Sequence, residues 1–79
     1  MPSAATVQYI AGEIRAARAR RGLRQADLAE KIGVQPYTIS RIEKGNREIP
    51  SSYLCAIAEA LGVQVASLLP PSNLEGSAK

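Results

Sequence analysis

From about Thr6 onward the apolar residues fall at Val7, Ile10, Ile14 and Ala17, the three- and four-residue steps that line one face of a helix. Gln8, Glu13, Arg15, Arg20 and Arg21 lie largely off that stripe, and Gly22 stops it. The same period returns in Leu28, Ala29 and Ile32 before Gly33, and again in Ile39 and Ile42 before Gly45. It predicts a second helix over 25–32 and a third starting at Pro36, where a missing amide costs nothing. A fourth helix carries the inner stripe Leu54, Ile57, Ala58 and Leu61, with Ser51 or Ser52 as its expected cap and Gly62 as its stop. Val65, Leu68 and Leu69 suggest a short fifth helix within 63–69, which Pro70-Pro71 forbids from continuing. No strand pattern or internal repeat interrupts the series. The expected fold is all-α, five short helices around one core.

Two junctions use the same device. Leu23 precedes the cap position Arg24, and Leu28 sits at the fourth helical position; Val34 and Ile39 repeat that spacing one helix later. This is a hydrophobic staple, which fixes the angle at which the chain enters a helix. Arg24 has no side-chain oxygen for the free amides, so a serine there should be more stable. A helix, a tight turn with glycine, then a helix is the pattern of a DNA-reading helix-turn-helix.

Seventy-nine residues make one domain, near the lower limit for a core that needs no staple. Apolar residues make up 46% of the chain, but Tyr9, Tyr37 and Tyr53 are its only aromatics, so the core must be aliphatic. The lone Cys55 excludes an internal disulfide, and beside Leu54 it reads as a small buried hydrophobe. Without histidine no nucleophile–base arrangement can be assembled, and neither metal-ligand spacing nor a glycine-rich phosphate loop occurs. No metal, no cofactor and no enzymatic activity are expected. With no signal peptide and no apolar run near about 18 residues, the chain reads as soluble and cytoplasmic, with no membrane partner.

Charge changes the picture more than composition does. Residues 15–47 hold nine of the ten basic side chains (Arg15, Arg18, Arg20, Arg21, Arg24, Lys31, Arg41, Lys44, Arg47) against Asp27, Glu30 and Glu43, a local net of +6. Residues 48–79 come out at −2, with Lys79 against Glu48, Glu59 and Glu75. A basic half that carries the turn motif points to a polyanion partner; the plain alternative is a solvated face of arginines.

Gly-Leu-Arg-Gln-Ala-Asp-Leu-Ala-Glu-Lys-Ile-Gly-Val (22–34), Ile-Ser-Arg-Ile-Glu-Lys-Gly (39–45) and Ala-Leu-Gly-Val (60–63) closely resemble the Cro/CI-type (XRE-type) helix-turn-helix domains. Such domains occur in lambdoid phage repressors, restriction-modification controller proteins and many bacterial regulators, and the resemblance spans roughly residues 7–69. It implies a compact five-helix lambda-repressor-like domain over 6–69; the small, polar residues on either side read as a flexible arm at 1–5 and a disordered tail at 70–79. It implies a double-stranded DNA partner, met as a homodimeric repressor or autoregulator on a near-palindromic operator, in a bacterial or phage setting. An antitoxin, bound to a toxin, or an adaptor module built on the same fold is the alternative.

By the same resemblance Gln35, Pro36, Tyr37, Thr38 and Arg41 face base edges or the flanking backbone, Asn46 and Arg47 meet phosphates, and Gln25 both meets a phosphate and braces the recognition helix. Arg24 and Lys44 join the phosphate set by their position and charge. Glu43 matches a glutamate that pairs in some members with a helix-one arginine, here Arg18. Arg24 and Gln35 depart from the Ser or Thr caps usual in the family, and Pro36 stands where many members carry a polar base-reading side chain. The Arg41 guanidinium can bind guanine O6 and N7 or, less informatively, a phosphate. Tyr37 can meet a thymine methyl, give its hydroxyl to a phosphate, or pack partly in the core. Val63, Val65, Leu68 and Leu69 are the expected apolar contact of a two-fold dimer.

Overall fold

The computed structural model describes residues 3–71; Met1, Pro2 and residues 72–79 of the expected arm and tail lie outside them. Four α-helices follow one another: α1 (Ala4–Arg20), α2 (Gln25–Ile32), α3 (Pro36–Lys44) and α4 (Ser51–Leu61). The fifth element is not an α-helix. Val65–Leu68 forms a single 3₁₀ turn, because Gln64 and Leu69 are extended on either side and leave room for only four residues. Among the described residues there is no strand.

α1 starts at Ala4, two residues before the Thr6 that the apolar spacing marks. Ser3 explains the difference: its hydroxyl accepts the Thr6 amide at 3.1 Å and caps the helix. At α4 the cap position is Pro50 and not a serine; Ser51 is already helical, and no side chain caps this end. Proline's fixed φ leads the chain into the helix without a capping oxygen.

The core is aliphatic, built on Ile14, Leu28, Ile39, Ile57, Leu61 and Leu68, all essentially without exposure. α3 packs on α2 and α1, and α4 closes the bundle against α2 and the 3₁₀ turn. Leu23 and Val34, the outer halves of the two staples, rest against this cluster. Each also donates its amide back to the preceding helix, Leu23 to Arg18 and Val34 to Ala29, so one apolar residue closes one helix and angles the next. Cys55 corrects the expectation of burial: it is exposed on the outer face of α4, since Leu54, Ile57, Ala58 and Leu61 turn the opposite side inward.

Gly45 sets how closely α3 approaches α1. It ends α3 at φ +75°, and a β-carbon there would stand 3.1 Å from the backbone Cα of Gln8 and 3.2 Å from Cβ of Ala11. Gly33 ends α2 at φ +78° with nothing within 4 Å. Gly33→Ala should therefore cost about 1 kcal/mol of backbone strain alone. Gly45→Ala adds crowding against a helix backbone and should cost about 3 kcal/mol. Urea titrations of both variants give the comparison, and equal losses would mean that the α1–α3 contact is loose.

Candidate nucleic-acid interface

α3 carries two faces of opposite character. Ile39, Ile42 and Glu43 are buried. A hundred degrees per residue then places Tyr37, Arg41 and Lys44 on the opposite side, flanked by the half-buried Thr38 and Ser40. Gln35 and Pro36 stand exposed at the N-terminal end of the helix, and Asn46 and Arg47 are exposed just past its C-terminal end. Tyr37 is 67% exposed, so it belongs to this outer face and not to the core.

What turns that face outward is a buried carboxylate. The Glu43 side chain is 3% exposed and Arg18 15%, with Arg18 Nε donating to Oε2 at 2.7 Å and Nη2 to Oε1 at 3.0 Å. The Gln25 amide donates to the same Oε1 at 3.0 Å. Glu43 thus joins α1, α2 and α3 at one point. Arg18 Nη1 donates to the Leu23 carbonyl at 2.7 Å, and every buried polar side-chain atom among the described residues is partnered. The hydrogen bond to Glu43 holds the Arg18 guanidinium above its ordinary pKa. Gln25, expected at a phosphate, has one amide hydrogen committed inward, so its bracing of α3 is the contact the structure contains.

Arg18 is the middle of a series. Arg15 and Arg18 on α1 and Arg21, just past its end, are spaced three apart. Arg15 Nη1 donates to the Glu43 backbone carbonyl at 2.8 Å, in the last turn of α3. The Arg21 guanidinium lies beside Gly62, where an added β-carbon would meet Nη1 at 3.2 Å, at the C-terminal end of α4. Two cations thus sit where helix dipoles are negative.

Arg24 is engaged as well. Its Nη2 lies 3.0 Å from Asp27 Oδ1, and its own backbone amide donates to Asp27 Oδ2 at 2.8 Å, the acidic half of a capping box. The guanidinium keeps 81% of its exposure, so it can still turn toward a phosphate. Hydrogen bonds from the Arg24 side chain and backbone hold the Asp27 carboxyl down at about 2.

An open depression of about 200 Å³ lies between α3 and the start of α4, with Arg41, Thr38 and Arg47 on one side and Glu48, Pro50 and Tyr53 on the other. Tyr53 on α4 is 36% exposed at the rim of this depression. Of the expected dimer residues, Leu68 is 2% exposed and belongs to the protein's own core, since the 3₁₀ turn carries it inward. Val63, Val65 and Leu69 are half-buried and keep an exposed edge. No group of three or more His, Cys, Asp or Glu side chains that could hold a metal forms among the described residues, and no helix there is long and apolar enough to cross a membrane.

The helix-turn-helix family model matches residues 14–68. Among solved structures, the clp gene regulator ClgR from Corynebacterium glutamicum is 31% identical, covers 86% of this chain and 86% of its own, and superposes with a TM-score of 0.76. The restriction-modification controller protein C.AhdI from Aeromonas hydrophila, 24% identical, covers 84% of this chain and 96% of its own with a TM-score of 0.78, a likeness of fold. The hydroxypropylphosphonic acid epoxidase from S. wedmorenis is 27% identical with a TM-score of 0.80. The match covers 87% of this chain but 37% of that enzyme.

Two outcomes test the buried network. Arg18→Ala strands a carboxylate and should cost about 3 kcal/mol in urea unfolding, and Arg18→Lys should not restore it, since lysine cannot bind side-on with two donors. The Asp27 carboxyl is lower in the folded state than its ordinary 3.8, so its stabilisation is complete above about pH 4 and disappears as pH falls toward about 2. Asp27→Asn should flatten the urea-midpoint profile in that window and lower stability above it.

Proposed function

Because the chain belongs to the Cro/CI-type helix-turn-helix family and is a DNA-binding transcription regulator, we propose that it works as a dimeric repressor or autoregulator on a near-palindromic operator. The observation that carries this reading is α3: a short helix pinned from inside by Glu43, presenting Tyr37, Arg41 and Lys44 outward in a segment of local net +6. Such a helix fits the major groove, where an arginine can read guanine O6 and N7 side by side.

Arg41 is the proposed specificity residue, with Gln35, Pro36, Tyr37 and Thr38 facing bases or the adjacent backbone. Lys44, Asn46 and Arg47 meet phosphates, joined by Arg24 when it swings from Asp27. Gln25 supports α3 through Glu43, and its second amide hydrogen is free for a phosphate. Two copies would dock half-sites about one helical turn apart, which gives a single small module useful affinity. The exposed edges of Val63, Val65 and Leu69 are the proposed two-fold contact, and the cytoplasm is the proposed location.

Selection from random duplex DNA at about 150 mM salt should enrich a two-fold symmetric site. Arg41→Ala should then relax one position in each half-site, a loss of about 1–3 kcal/mol of discrimination. Arg47→Ala should weaken all sequences alike and lower the salt slope by about 0.9 per protomer. Sedimentation with and without the enriched duplex tests the dimer, and a monomer at high micromolar concentration in both conditions overturns it. Absence of any enriched site would direct the search to a protein partner.

A further inference from the structure

The guanidinium proposed to read bases lies against a neighbour on its own helix. Arg41 Cζ lies 5.4 Å from the centroid of the Tyr37 ring, one helical turn earlier on the same outer face. Among the described residues Arg41 belongs to neither ion pair. Tyr37 itself is 67% exposed, so the ring does not serve the core. The ring attracts the guanidinium as a cation near its face, and a bidentate contact to guanine uses only two of the five N–H donors. The two contacts are therefore compatible, and the first restrains a long side chain that would otherwise lose its rotamer freedom on binding.

We propose that Tyr37 is a positioning residue for Arg41: the ring, not the hydroxyl, holds the guanidinium with its donor edge toward the bases, and so sets the strength of the preference for guanine. This inference rests on the reading of Arg41 as the base-reading side chain. It separates Tyr37 from its neighbours, since a residue that merely touched a thymine methyl would be replaceable by any apolar side chain. A residue that merely met a phosphate would act through its hydroxyl.

The test measures binding of Tyr37→Phe, Tyr37→Leu and Arg41→Ala to the duplex enriched by the parent protein, and to the same duplex with each half-site guanine replaced. Tyr37→Phe should keep the guanine preference. Tyr37→Leu, apolar but without a ring, should lose it by about three- to ten-fold with unchanged thermal stability and an unchanged salt slope. Full guanine preference in Tyr37→Leu overturns the proposal, as does a loss in Tyr37→Phe equal to that in Tyr37→Leu. If Arg41→Ala leaves every position as selective as before, the reading of Arg41 falls and this inference with it. A DNA-free measurement separates the two: the Arg41 δ-protons should be shifted upfield by the ring in the parent and in Tyr37→Phe, and return to ordinary values in Tyr37→Leu. No upfield shift in the parent means the stack is not populated, which also overturns the proposal.

Discussion

A single carboxylate, buried where no water reaches it freely, holds this domain in its working shape. Glu43 would be costly to bury alone; it is tolerated because three side-chain donors, two from Arg18 and one from Gln25, converge on its two oxygens. Those donors come from α1 and α2, so the geometry that satisfies the charge also fixes how three helices meet. An apolar contact at the same place would tolerate sliding and rotation, whereas a side-on guanidinium–carboxylate pair is satisfied in one arrangement. Rotating α3 would pull Glu43 off its donors and turn Tyr37, Arg41 and Lys44 away from their shared face.

The same network divides the basic side chains by task. Arg15, Arg18 and Arg21 face the last turn of α3, the buried acid and the end of α4, and Arg24 is paired with Asp27. Among the described residues, the cations left outside any ion pair on the outer face of α3 and the loop after it, Arg41, Lys44 and Arg47, are fewer than the local net charge suggests. They are also more informatively placed, since they lie along one helix and the turn that follows it. The likeness to the epoxidase, confined to 37% of that enzyme's chain, is a reminder that the fold alone does not assign a task.

Much of this was legible in the residues. Gly33 and Gly45 end α2 and α3 where the apolar period stops, and Leu23 and Val34 serve as the staples their spacing promised. Pro36 begins α3 at a position that needs no amide. The errors share a cause. Ser51 looked like a cap because capping residues are recognised by type, yet Pro50 holds that place. Cys55 looked buried because cysteines usually are, yet it falls on the outer side of α4. Leu68 looked available to a second copy, yet the 3₁₀ turn spends it on the core.

Where α2 and α3 begin and end, the turn between them and the aliphatic character of the core were legible in the residues alone. These depend on φ preferences, amide satisfaction and apolar spacing within four or five residues, all of which are local. Only packing fixed that Gln25 braces α3 through the Glu43 carboxylate, that Arg15 and Arg21 serve the ends of other helices, and that Gly45 admits the backbone of α1. It also decided that the fifth element is one 3₁₀ turn. Each of these depends on groups far apart in the chain meeting at hydrogen-bond or van der Waals distance, and that distance exists only once the helices have packed.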